Sequence, residues 1–128
     1  MEGGYQVFRP RPEDVYDWSG GQLHPGIRQH VTVGNVVRVQ VSGNGDPATG
    51  WSDTPYVRVT AQDGDRLAGV VDDPYRSEYS ALDNDTVLEF DRADVTEIPL
   101  DWPGNEALEP RAERTGLRRE ITGYVEPD

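Results

Sequence analysis

The chain has 128 residues, 34% of them hydrophobic, and a formal net charge of −12 from 24 acidic and 12 basic residues. That length fits one domain with a modest core, and no run of it is long and apolar enough to span a bilayer. The charge disfavours nucleic-acid phosphates and anionic headgroups as partners, and the lack of cysteine rules out disulfides and thiolate metal sites.

Charge is spread unevenly, with −1 on residues 1–30, −9 on 31–102 and −2 on 103–128, so the negative field sits on the central segment. The expected organisation follows the same division: an N-terminal arm (1–30), a β-barrel (31–102) and a C-terminal extension (103–128). The opening MEGGYQVFRPRPED has no basic region followed by an apolar run, so no secretory signal is expected and the cytoplasm is the default compartment.

In the arm, Tyr5, Phe8, Tyr16 and Trp18 stand among Pro10, Pro12, Gly20, Gly21 and Pro25. Pro12 suits the first turn of a short helix, with Glu13 and Asp14 favourable at its positive end. Val15 and Trp18 would share a face of that helix, and Gly20 would stop it. Aromatics at this density predict an arm packed on the barrel rather than a disordered one.

Strands follow from Val36. Val37, Val39 and Val41 alternate with Arg38 and Gln40, the period of a half-buried strand over Val36–Val41. The loop SGNGDPATGWSD is long enough to be a mobile tip. Tyr56–Ala61 is the second strand, with Val57, Val59 and Ala61 inward and Tyr56, Arg58 and Thr60 outward. Asp63-Gly64 signals a tight hairpin, and Leu67–Asp72 returns as a central strand, apolar on both parities. After a loop over Asp73–Asp85, Thr86–Phe90 points Leu88 and Phe90 inward. Asp91-Arg92-Ala93-Asp94 suits one 3₁₀ turn, and Val95–Leu100 closes the sheet, ending near Pro99 or lying at an edge. Beyond Trp102-Pro103-Gly104, Asn105 can cap a turn, and Pro110 would break a helix begun there unless it opens a second one. Leu117, Ile121 and Val125 fit either a helix or a strand.

Five strands, a long first loop, a tight hairpin and a 3₁₀ turn before the last strand resemble an SH3-like barrel. The fold class expected is therefore all-β, with a short helical or extended C-terminal extension. Three stretches of residues 31–102 are similar to a family of small, mostly uncharacterised bacterial domains: Val33-Gly34-Asn35-Val36-Val37-Arg38-Val39, the run from Tyr56 to Pro74, and Asp85-Thr86-Val87 through Phe90 to Ile98. Asn35, Tyr56, Asp73 and Asn84 depart from the usual Asp, Trp, Asn and Gly of that pattern. Some related domains resemble immunity proteins that neutralise bacterial toxins, so the resemblance implies binding. It transfers no catalytic residue, because its pattern consists of turns and core positions.

Aromatic rings supply large contact area at low entropic cost, as a hot-spot pocket requires. Trp51 and Tyr56 on one side and Tyr75 and Tyr79 opposite are the expected binding residues, lining the groove where such barrels take peptides or methylated side chains. Asp72, Asp73 and Asp94 would form an acidic rim suited to a basic protein, raising its on-rate and setting specificity. The blander reading of each group is a covered barrel end and a solvated acidic surface.

Asp83-Asn84-Asp85 starts like a calcium loop, but Leu88 and Asp94 stand where Gly and Glu are required. His24 and His30 lack companions for a metal or catalytic set. No serine lies in a nucleophile elbow, and Gly43-Asn44-Gly45 lacks the lysine and helix of a phosphate loop. Neither metal nor cofactor is expected. The leading expectation is a non-catalytic protein-binding module acting as an immunity or accessory factor. One alternative is an acidic decoy occupying a DNA-binding protein. Another is a small enzyme pairing Asp73 with Glu89 or Asp94.

Overall fold

Eight short strands and three 3₁₀ helices run through the described residues, 5–12, 14–17, 21–43, 52–75 and 82–112 of this computed structural model. In chain order they are β1 (Tyr5–Val7), a helix over Pro25–His30, β2 (Val36–Val39), β3 (Val41–Gly43), β4 (Ser52–Asp53) and β5 (Tyr56–Asp63). Then come β6 (Arg66–Val71), β7 (Val87–Asp91), a helical turn over Arg92–Asp94, β8 (Val95–Glu97) and a last turn over Glu109–Arg111. The main sheet has the order β7-β6-β5-β2-β8, all antiparallel, and a small sheet has the order β1-β3-β4. A meander whose last strand returns beside its first is the SH3-like arrangement, here curled into a half-barrel.

Local chemistry accounts for most of these elements. Val37, Val39, Val57 and Val59 alternate into the core at 1% exposure or less, and Leu88 and Phe90 meet them at 0%. In the Asp63–Arg66 hairpin Gly64 takes φ 60° while Asp65 keeps a negative φ, the pattern of a type II′ turn that needs Gly first. At the end of β7 the Asp91 amide donates to Asp94 Oδ2 at 2.9 Å, which starts the 3₁₀ turn between the last two strands.

Several expectations need correction. The first strand is not continuous to Val41: β2 ends at Val39, where its register with β8 shifts, and β3 joins the other sheet. The valine alternation survives the change of sheet because Val41 is still fully buried. The two ends of the first long loop pair as β3 and β4, and its expected mobile tip lies outside the described residues. In β5 the register shifts between Val59 and Ala61, which turns Ala61 outward, whereas Tyr56, expected outward, is only 9% exposed. In β6, Leu67 and Val71 are buried while Ala68 and Val70 are half-buried, so its second face is only partly covered. β8 stops at Glu97, two residues before Pro99.

In the arm, Pro12 starts only a turn, and the helical segment is Pro25–His30, capped by the His24 side chain. Among the described residues the arm docks chiefly through aliphatic side chains, with Phe8 half-buried; the side chains of Tyr5 and Trp18 lie outside them. Val15, Leu23 and Ile27 join the central core, and Tyr16 is 37% exposed. Its main chain extends the sheet instead: Tyr16 bridges to Glu97, and the Ile98 amide donates to Tyr16 O at 2.8 Å. Pro110 lies in the first turn of the helix over Glu109–Arg111. The expected roles of Trp18 and of Leu117, Ile121 and Val125 lie outside the described residues.

Beyond the last strand, Asn105 does the work of a neighbouring strand. Fully buried, it accepts from the Val36 amide at 2.8 Å and donates Nδ2 to both Val36 O and Pro99 O at 2.8 Å. These bonds satisfy both main-chain groups of Val36, which a buried sheet margin would otherwise leave unpaired.

Candidate functional site

Where β5 begins, three rings from distant parts of the chain come together. Tyr56 and Trp102 stack with centroids 4.4 Å apart and planes 9° from parallel. Tyr75 stands 6.3 Å from each, tilted by 48° to Tyr56 and 53° to Trp102. The guanidinium of Arg38, the cross-strand neighbour on β2, lies over the Tyr56 ring at 4.8 Å. Tyr75 is 74% exposed, so the three rings grade from a covered floor to an open wall.

Asp73 anchors the main chain that carries two of these rings. Its Oδ1 accepts from the Tyr75 amide at 2.8 Å and its Oδ2 from the Tyr56 amide at 3.4 Å. Asn84 clamps Asp73 in turn, accepting from its amide at 2.7 Å and donating to its carbonyl at 3.2 Å. Trp102 is placed by two successive turns, donating its amide to Pro99 O and accepting from the Asn105 amide, both at 3.0 Å. Arg38 is fixed by Thr54 O, which receives Nε and Nη2 at 2.9 and 2.7 Å, and by Glu97 Oε1 at 3.1 Å.

The electrostatics follow from this burial. Desolvation pushes the Tyr56 phenol up, with Arg38 pulling against it, so the ring stays neutral. Burial also raises the Glu97 carboxyl, opposed by the Arg38 guanidinium and reinforced by Asp17. Such a floor offers π-faces and a fixed cation–carboxylate pair.

Of the residues singled out in the sequence, Tyr56 and Tyr75 belong to this cluster, and Trp51 and Tyr79 lie outside the described residues. Asp72 is half-exposed and pairs with Arg58, whose Nε and Nη2 both reach Asp72 Oδ2, at 2.8 and 2.6 Å. Asp73 is 4% exposed and supports the rings from beneath. Asp94, at 6%, serves another neighbourhood, where it accepts from Arg9 Nε at 2.9 Å and ties the arm to the 3₁₀ turn. Nor are the candidate catalytic carboxylates gathered. Glu89 stands opposite Ala68 in the β6–β7 register, and Asp73 lies further along beyond β6, roughly 16 Å away at strand spacing.

Sequence reasoning passed over Trp102. Its only local signal was a tryptophan before Pro-Gly in a polar stretch, which reads equally well as a segment boundary. Groups of three or more residues able to hold a metal are absent among the described residues. No helix there is long and apolar enough to cross a membrane. Compared with known proteins, the chain matches no family model, no curated protein and no solved structure.

Proposed function

We propose that the protein is a non-catalytic binding module that takes a basic segment of another protein on the Tyr56–Tyr75–Trp102 surface. The observation that carries this reading is the Tyr75 ring, 74% exposed, standing against the Tyr56–Trp102 stack while a buried carboxylate anchors its backbone amide. An exposed aromatic on an anchored backbone presents a face at modest further entropic cost. Arginine and lysine side chains are attracted to such faces, and the −9 on residues 31–102 would steer a cationic partner towards them. A role as an immunity or accessory factor follows from the same reading, since such proteins act by occupying a partner.

Titration with an arginine-rich peptide, followed by tryptophan fluorescence, tests the site. Tyr75→Ala is expected to weaken binding about tenfold, the cost of a modest hot spot. Undiminished binding by that variant would remove the aromatic surface from the reading. If binding also fell steeply with salt, a diffuse acidic decoy would account for it better.

A further inference from the structure

A second site lies where the arm meets the 3₁₀ turn. A cavity of about 610 Å³ opens there, in the size range of small-molecule sites. Its polar lining includes Arg9, His24, Arg28, Asp65, Asp91 and Arg92, and it shares no lining residue with the aromatic surface. Three guanidiniums thus converge in a chain of net charge −12.

The three are not equivalent. Arg9 is neutralised by Asp91 at 2.6 Å and Asp94 at 2.9 Å. Arg92 is used on all sides, donating to Val31 O at 3.2 and 2.8 Å, to Gly64 O, and to Asp65 at 3.3 Å. Arg28 differs. It is 9% exposed, and its Nη1 donates to the carbonyls of Ala93 at 2.6 Å and Val95 at 3.5 Å. Among the described residues its side-chain hydrogen bonds go to these carbonyls and not to a carboxylate. Its Nε–Nη2 edge, the planar fork that matches a carboxylate with two parallel hydrogen bonds, is therefore unengaged among the described residues.

A buried charge without a counter-ion is costly. Desolvation, and then the nearby Arg9 cation, hold the Arg28 guanidinium below its ordinary pKa, with the Asp94 carboxylate pulling more weakly the other way. An anion on the open fork would relieve both effects. Asp91 on the cavity wall and Asp94 beside Arg9 count against a doubly charged guest, whereas a single negative charge suits Arg28, the one guanidinium of the three without an ion-paired carboxylate among the described residues.

We propose that this cavity binds a small organic monocarboxylate, seated bidentately on the Nε and Nη2 edge of Arg28 with its organic part against Pro25 and Ala93. Side-chain ¹H–¹⁵N spectra of the full chain test the assignment, with benzoate as probe, neutral benzamide as its isostere and inorganic phosphate as a competing oxyanion. Benzoate is expected to move the Arg28 Nε–H resonance saturably, with a Kd on the order of 1 mM. Benzamide should leave it in place and phosphate should bind more weakly. Arg28→Lys keeps the charge but loses the fork, and should weaken benzoate at least ~tenfold. Should that variant fail to fold, the three titrations of the wild-type chain decide. An unmoved Arg28 resonance, an equal response to benzamide, or tighter binding of phosphate overturns the proposal. Tyr75→Ala should leave benzoate affinity unchanged, which separates this site from the aromatic one.

Discussion

Tyr56, the first residue of β5, stacks on Trp102, which lies beyond the last strand, at 4.4 Å between ring centroids. The pair joins the middle of the sheet to the segment that follows it. The same contact forms the floor on which Tyr75 stands, so stability and recognition meet at these rings and can be separated by substitution.

Trp102→Ala is expected to cost about 2 kcal/mol, because a half-buried indole and its stacking are both lost. Tyr75→Ala, at an exposed position, should change stability by less than about 0.5 kcal/mol. Urea unfolding of both variants measures the difference. Equal losses would show that the two rings do not divide the roles in this way.

Asn105→Ala removes the side chain that satisfies the Val36 amide and carbonyl and the Pro99 carbonyl. The Val36 amide and carbonyl would then lack partners, whereas Pro99 O keeps the Trp102 amide, and the expected loss is about 3 kcal/mol. Asn105→Asp keeps the acceptor but not the donors, and should also be destabilising. The midpoint of chemical denaturation reads both.

Two glycines should fail for different reasons. A Cβ on Gly69 would lie 2.6 Å from Arg58 O and from Val57 Cγ1, where β6 crosses β5. Gly69→Ala is therefore expected to cost about 2 kcal/mol through overpacking. Gly64 has open space around it but the φ 60° of the first corner of a type II′ turn, so Gly64→Ala should cost about 2 kcal/mol in backbone strain alone. Thermal unfolding of the two variants measures both losses.

The pH dependence of stability should show two opposed limbs. Burial raises the folded-state pKa of Glu97, so the native chain binds that proton more readily than the unfolded one. Stability should then fall as pH rises from the ordinary glutamate value through the raised one. Glu97 Oε2, buried without a hydrogen-bond partner among the described residues, is consistent with that cost. Asp91 behaves oppositely. Hydrogen bonds from Arg66 and then Arg9 hold it below the usual carboxylate range. Its contribution is present above the ordinary aspartate value and is lost as pH falls through the depressed one. Denaturant midpoints across acidic pH should show Glu97→Gln flattening the upper limb and leaving the lower one intact.

Most of the strand pattern, the tight turn at Gly64, the 3₁₀ turn after β7 and the inward set of Leu88 and Phe90 are legible in the sequence alone. These depend on a period of two and on the φ that a turn demands, and both are written within a few neighbouring residues. Packing in three dimensions is what covers Tyr56, turns Ala61 outward, and consumes Asp73 and Asp94 inside the fold. A register shift of one residue inverts a face, and no local pattern announces it. Trp102 on Tyr56, Asn105 on Val36 and the open edge of Arg28 each depend on segments far apart in the chain. Their meeting is set by how the whole sheet curls, a property that no stretch of the sequence holds alone.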